Sequence, residues 1–228
     1  MFLSPGPVRL ASTTPSAVWL RADVHAVCIG RDVVLLDLGG DAYACLPDGT
    51  DEMRIDDHGT VVGAKGRIAD LLLDAGLAAT ARPAGPSRMP LPAVATEALP
   101  ARDVRVTRFD DPLALIWAAL ALRSRGRDPA VVDLLPLTSG AGGRRTREAV
   151  IQAASAVDRL LPWVPITGGC LRRSACLVAF LKTHGLAADW VFGVRTWPFR
   201  AHCWVQLDEI CLNDDPERLR AYRPILSR

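Results

Sequence analysis

A helical segment followed directly by three strand segments restricts the C-terminal half of this chain to a few architectures. The helical segment, CLRRSACLVAFL, begins at Cys170 and ends before the stop signal at Gly185. The segments DWVFGV, AHCWVQL and EICLND follow it and have the composition of strands. Earlier helices are predicted over 112–124, 129–135 and 144–161. The order, with helices first and a sheet afterwards, predicts an α+β fold.

Three residues with complementary chemistry lie on these segments, in the order Cys170, His202 and Asp214. A thiol nucleophile needs a base, and the base needs an acceptor that orients it. Cys170 follows Gly168 and Gly169, which allow a sharp turn, and it stands in the first turn of its helix. Unpaired N–H groups and the helix dipole favour a thiolate there. The pattern predicts a Cys-His-Asp catalytic site.

The strand that contains His202 has two different faces, because side chains alternate along a strand. The more polar face is expected to look into a cleft and consists of His202, Trp204 and Gln206. Cys203 lies on the other face and is expected to pack in the core, away from the site. The core is also the expected place of Cys176 and Cys211.

The acidic partner of His202 is either Asp214 or Asp215, depending on strand register. A two-residue turn at 208–209 would place His202 opposite Asp215, whereas a three-residue turn would place Asp214 diagonal to His202 on the same face. Sequence spacing alone leaves both alternatives open.

The N-terminal half predicts a small sheet and a helix. The segments VHAVCI, DVVLLDL and DAYACL are separated by tight-turn signals, which predict an antiparallel meander. An amphipathic helix is expected over Ala64–Ala75. Five prolines between 81 and 100 predict an extended, semi-rigid linker. The expected division is therefore a domain at 1–80, a linker at 81–103 and a domain at 104–228.

Composition argues against several kinds of protein. The six cysteines are scattered without zinc-ligand spacing, so we expect reduced thiols, no metal and a cytoplasmic protein. No secretory signal is present at the start. The longest apolar stretch, Leu113–Leu122, is too short to span a bilayer and is expected to form a buried helix.

At the candidate site the chain resembles the leader peptidases of lasso peptide biosynthesis, the B proteins. The matching text is CLRRSACLVAFLKTHG, GVRTWPFRAHCWVQL and ICLNDDPERLRAY. This resemblance implies a transglutaminase/papain-like cysteine protease domain in which Cys170, His202 and Asp214 are catalytic, and it favours Asp214 over Asp215. Trp197 and Phe199, in the loop before the His202 strand, are expected to contact substrate near the scissile bond.

The N-terminal half resembles the precursor recognition element that accompanies these peptidases. The resemblance implies a winged-helix-like β-meander plus helix that binds the leader peptide as an added strand beside DAYACL. The residues expected to contact the leader are Tyr43, Leu46, Ile68, Leu71 and Leu72. The text MRIDDHGTVVG departs from the helical text usual at this place. Nucleic acid is not an expected partner, because residues 1–80 hold 6 Lys/Arg against 11 Asp/Glu.

The family resemblance implies a cysteine peptidase that removes the leader and passes the core peptide to an asparagine-synthetase-like cyclase. No cofactor is expected, and no phosphate-binding loop is present, so any ATP dependence is expected to act through the cyclase. Membrane association is not expected. Two alternatives stay open: an acyl transferase that uses the same three residues, and a leader-binding protein without catalytic activity.

Overall fold

The computed structural model describes residues 18–55, 61–64, 67–83, 90–100, 111–138, 143–164 and 169–228, with the backbone alone for 61–64. Helices and strands are mixed in these residues. The strands are β1 (Trp19–Leu20), β2 (Val24–Ile29), β3 (Asp32–Asp37), β4 (Ala42–Leu46), β5 (Met53–Ile55), β6 (Val61–Ala64), β7 (Ala78–Ala79), β8 (Glu97–Ala98), β9 (Asp189–Arg195), β10 (Arg200–Leu207), β11 (Ile210–Cys211) and β12 (Arg223–Ser227). The helices are α1 (Arg67–Asp74), α2 (Asp111–Arg123), α3 (Val131–Thr138), α4 (Arg147–Leu160), α5 (Cys170–Thr183) and α6 (Pro216–Leu219).

The C-terminal half is built from helices packed on a five-stranded sheet. The strand order is β12-β9-β10-β11-β8, and the pairs are antiparallel except for β11 with β8. Helix α5 lies at the centre, between β10 and the helices α2, α3 and α4. Every residue from Ser174 to Leu181 is buried, as expected of a helix surrounded on all sides. The start of α5, at Cys170, is therefore anchored by the main core.

Helix α2 is only partly buried, which corrects the expectation of a buried helix over Leu113–Leu122. Its Leu115, Ala118 and Leu122 are in the core, whereas Leu113 and Trp117 are mostly exposed. The reason is geometric: α2 has packing partners on one side alone among the described elements, so its opposite side stays open despite its apolar composition. No helix in the described residues is long and apolar enough to cross a membrane.

The second half of the expected linker is part of the C-terminal sheet. Residues 97–98 form β8, which extends the sheet beside β11. Ala95 is fully buried against Trp204, and the Gln206 side-chain amide donates a hydrogen bond to the Ala93 carbonyl at 2.8 Å. Proline interrupts regular structure, but the small apolar residues between the prolines bury surface on the sheet. Residues 90–100 therefore do not act as a free spacer.

The N-terminal sheet has the predicted meander, with the order β2-β3-β4 and antiparallel pairs. Strand β3 is buried on both faces. Val34 and Leu36 belong to the main core of the C-terminal half, while Val33 and Leu35 belong to a second core with α1. The two halves of the chain thus share one hydrophobic core through β3.

The segment MRIDDHGTVVG contains the two strands of a hairpin, β5 and β6, where relatives of the recognition element were expected to be helical. Helix α1 is the one α-helix in the described part of the N-terminal half. The winged-helix-like arrangement is therefore not confirmed.

Candidate active site

Cys170 is the first residue of α5, as predicted, and is half-buried. The N-cap residue, Gly169, provides no side-chain hydrogen bond to the first turn, so the helix keeps its N–H groups for another acceptor. Gly169 has a φ of −74°, and no atom of the described residues lies within 4 Å of the place where a β-carbon would project, so these residues do not require glycine at this position. The expected sharp turn involves Gly168 as well, which lies outside the described residues.

His202 lies on β10 with one ring nitrogen bonded to an acid. Its Nε2 is 2.5 Å from Oδ2 of Asp214, and both side chains are about nine-tenths buried. The ring also lies close enough to the Cys170 thiol for each group to shift the pKa of the other. Because Nε2 is engaged by Asp214, Nδ1 is the nitrogen available to the thiol. The structure therefore brings the three predicted residues together: His202 is hydrogen-bonded to Asp214 and lies near Cys170.

The choice of Asp214 over Asp215 comes from a departure of the chain from the β ladder. Gln206 pairs with Cys211, so the hairpin closes with the two-residue turn that would set His202 opposite Asp215. However, the Val205 N–H donates to the side-chain Oδ1 of Asn213 at 2.8 Å instead of to a main-chain carbonyl. The backbone bends there and delivers Asp214 to His202.

Asp215 has a different role, at the start of α6. Its side chain accepts a hydrogen bond from the Glu217 N–H at 2.9 Å and so caps the helix. An N-cap aspartate satisfies one of the free N–H groups of the first turn. Asp215 is thus a structural residue beside the candidate site.

Asp214 is held in its ionised form by several donors. Burial alone would raise the pKa of Asp214, but hydrogen bonds from His202, the Asp215 N–H and Arg218 outweigh it and lower the pKa to about 2. The Arg218 guanidinium donates to both carboxylate oxygens, at 2.5 and 2.7 Å. This carboxylate in turn raises the pKa of His202 to about 9, with a further contribution from Cys170.

Cys203 lies beside Cys170, which corrects the expectation that it points away from the site. Helix α5 packs on the face of β10 that Cys203 occupies, so the two thiols meet. The neighbouring Cys203 thiol, together with His202 and the Cys203 N–H, lowers the pKa of Cys170 to about 4 despite burial. The thiolate is assigned to Cys170 because Cys203 is 3% exposed and its own pKa is raised, first by the Cys170 charge and then by burial.

The opposite face of β10 is covered rather than open, contrary to prediction. Trp204 and Gln206 are buried beneath residues 93–95, and Trp204 also packs against Tyr222. Of the three residues predicted to face the cleft, His202 alone does so, because it stands near the start of the strand, beyond the cover. Its ring contacts that of Tyr222 at a centroid distance of 5.4 Å.

A buried polar network braces the site. The Ser174 hydroxyl donates to the Cys203 carbonyl at 3.3 Å and accepts from the Asn213 amide at 2.9 Å. It therefore links α5, β10 and the bend that precedes Asp214. Sequence reasoning assigned no role to Ser174 or Arg218, although both lie in the text that matches the lasso peptidases. Asn213 belongs to the LND text of the resemblance, and this text was the sequence signal that could have identified it.

Two of the predicted substrate contacts, Tyr43 and Phe199, meet each other, whereas Trp197 contacts the start of β3. The rings of Tyr43 and Phe199 are 5.6 Å apart, and Trp197 donates from Nε1 to Asp32 at 3.1 Å. Burial raises the pKa of Tyr43, and the proximity of Cys203, Asp41 and Cys170 adds to the rise. The loop 196–199 therefore contacts both β3 and β4, and Tyr43 of β4 lies near Cys170.

The other predicted leader contacts lie elsewhere, around α1 and the second core. Leu46 and Ile68 border this core, and Leu71 is 47% exposed. Leu72 is fully buried and cannot contact a peptide directly, because helical periodicity turns it toward Met53 and the sheet. Its assignment as a contact residue is corrected to a supporting role.

The family model of the transglutaminase-like superfamily matches residues 112–227, half of the chain. This range begins at the second residue of α2, runs to the end of β12 and contains Cys170, His202 and Asp214. Curated proteins and solved structures show no significant match. The chain belongs to the transglutaminase-like superfamily.

Proposed function

We propose that this protein is a cytoplasmic cysteine peptidase that removes the leader of a ribosomally made lasso peptide precursor. The observation that carries the proposal is the buried series Cys170, His202 and Asp214 within a transglutaminase-like domain. An imidazolium beside a thiolate, oriented by an ionised carboxylate, is the resting arrangement that a cysteine nucleophile needs.

The chemistry proceeds through a thioester. The Cys170 thiolate attacks the scissile carbonyl carbon, and N–H groups of the first turn of α5 stabilise the oxyanion. The C–N bond breaks while His202 gives its proton to the leaving amine. His202 then takes a proton from water, the hydroxide attacks the thioester, and the leader leaves with a new carboxylate. Asp214 keeps the imidazole in the tautomer that presents Nδ1 to the sulfur.

Leader capture is assigned to the outer edge of β4. Within the described residues β4 pairs with β3 alone, which leaves main-chain groups available for an added strand. Leu46, Ile68 and Leu71 border this edge or the adjacent helix, and Tyr43 continues it toward the thiol. A tethered peptide would meet Cys170 at an effective concentration on the order of millimolar. The released core peptide then passes to an asparagine-synthetase-like cyclase, through which any ATP dependence acts.

The test uses a lasso peptide precursor as substrate, taken from any short reading frame found near this gene, with and without a lasso cyclase and ATP. Products are weighed by mass spectrometry in H₂¹⁸O and in added glycinamide. We expect one ¹⁸O atom at the new leader carboxylate, loss of cleavage in Cys170→Ala and full cleavage in the matched control Cys28→Ala. A glycinamide adduct as the main product would identify an acyl transferase instead. Binding of the peptide without any product would identify a recognition protein.

A further inference from the structure

A cavity of about 400 Å³ opens beside His202 and has an unusually basic wall. The residues that line it are Arg195, Arg200, Ala201, His202, Arg218 and Tyr222. Three guanidinium groups and one imidazole thus face a single space, with no carboxylate among these lining residues. Clefts lined by charge of one sign concentrate ligands of the opposite sign.

Two of these arginines lie directly opposite each other in the sheet. Arg195 at the end of β9 pairs in register with Arg200 at the start of β10. Opposed residues in an antiparallel pair have β-carbons about 5 Å apart, and like charges at that position are destabilising. No carboxylate in the described residues forms an ion pair with either. The hairpin therefore carries an electrostatic cost that a bound anion would remove.

The Arg195 side chain packs against Tyr222 but lacks a hydrogen-bond acceptor for one of its buried N–H groups among the described residues. Its guanidinium lies 5.6 Å from the centroid of the Tyr222 ring, and its buried Nε has no hydrogen-bond acceptor among the described residues. Arg218, by contrast, is engaged with Asp214. The unmatched positive charge of the cavity is therefore concentrated on Arg195 and Arg200.

The position of the cavity indicates which part of a substrate fills it. His202 forms part of the wall, whereas Cys170 does not. The imidazole must reach the leaving amine to protonate it. The chain that continues from that amine therefore runs on the His202 side, into the arginine cavity.

We propose that Arg195 and Arg200 bind a carboxylate carried by the part of the substrate that follows the scissile bond. This proposal rests on the proposed thioester chemistry at Cys170 and adds a substrate class to it. The carboxylate is either an acidic side chain or a chain terminus, since both present the same pair of oxygens to guanidinium groups. Arg and carboxylate form strong, directional pairs.

The test uses haloacetyl peptides, which react with the thiolate and need no turnover. The Cys170 sulfur attacks the methylene carbon of each probe and displaces iodide, so that a C–S bond forms. The peptide part of the probe then occupies the place of the substrate residues that follow the scissile bond. The probes are iodoacetyl-Gly-Glu-amide, iodoacetyl-Gly-Gln-amide and iodoacetyl-Gly-Gln with a free carboxylate. Rate constants for labelling of Cys170 are measured by intact-protein mass spectrometry.

We expect one of the two carboxylate probes to label Cys170 roughly tenfold faster than the Gln-amide probe, as one charged hydrogen-bonded pair allows. Which probe is faster distinguishes side chain from terminus. The preference should disappear in Arg200→Gln and Arg195→Gln, and added salt should weaken it. Arg223→Gln, an exposed arginine of β12 outside the cavity, is the matched control and should keep it.

Equal rates for the three probes would overturn the proposal, as would a preference that survives in Arg200→Gln or is lost equally in Arg223→Gln. Arg200 is exposed, so its variant remains informative should Arg195→Gln fail to fold. A carboxylate preference in a protein that cleaves no peptide would retain the arginine cavity and overturn the peptidase. Cleavage without any carboxylate preference would retain the peptidase and overturn the carboxylate-binding role of the arginine cavity.

Discussion

Cys170 should be alkylated by iodoacetamide at pH 5.5, well below the pH at which ordinary thiols react. With a pKa of about 4, against an ordinary 9.0, it is almost wholly ionised at that pH. An ordinary thiol is then about 1 part in 3,000 thiolate. A low-pKa thiolate is intrinsically less nucleophilic, by roughly 200-fold over this pKa difference. The net advantage of Cys170 at pH 5.5 is therefore about 15-fold.

The assay follows alkylation from pH 5 to 9 and locates the label by peptide mapping. The rate for Cys170 should be nearly flat from pH 5 to 8, whereas an ordinary thiol gains tenfold per pH unit. His202→Ala removes one of the groups that stabilise the thiolate, so its rate at pH 5.5 should fall and its pH dependence should shift upward. A Cys170 rate that rises tenfold per unit between pH 6 and 9 would refute the ion-pair assignment.

Asp214→Asn should lower kcat/KM by roughly 10⁴-fold, because the imidazole of His202 would adopt the wrong tautomer. Asp215→Asn retains an N-cap acceptor, so its kcat/KM should stay within about twofold. Equal losses in both variants would contradict the assignment of Asp214 as the partner of His202. Cys203→Ala should raise the pH at which the Cys170 thiol ionises. Cys203→Ser keeps a hydrogen-bond donor, so this pH should stay close to that of the unchanged protein. An unchanged pH profile in Cys203→Ala would show that Cys203 does not stabilise the Cys170 thiolate. Gly193→Ala should lower the free energy of unfolding, measured by urea denaturation, by about 1–3 kcal/mol. The reason is that the added β-carbon would lie 2.7 Å from the Trp204 ring. An unchanged unfolding midpoint would show that this ring can move.

Local sequence was sufficient for most of the elements. Turn signals and alternation predicted β2, β3 and β4, and the apolar pattern with the stop at Gly185 predicted α5 with Cys170 at its start. These features depend on residues a few positions apart, so periodicity and turn chemistry report them directly. Helix α2 marks the limit of that reasoning: its apolar composition was visible, but which of its sides has a neighbour was not.

Tertiary structure decided how the site is assembled. The bend at Asn213, which delivers Asp214 to His202, depends on a side-chain hydrogen bond to a neighbouring strand. The contact of Cys203 with Cys170 depends on which face of β10 receives α5.

The positions of residues 90–100 and of β4 also depend on tertiary structure. Residues 90–100 became part of the sheet, and β4 came to lie beside the loop 196–199, because distant apolar surfaces pack into shared cores. The sequence by itself determined which residues are candidates for the chemistry and the order of their elements. Only the tertiary structure decided which of them touch, because those contacts join residues far apart in the chain, where local periodicity carries no information.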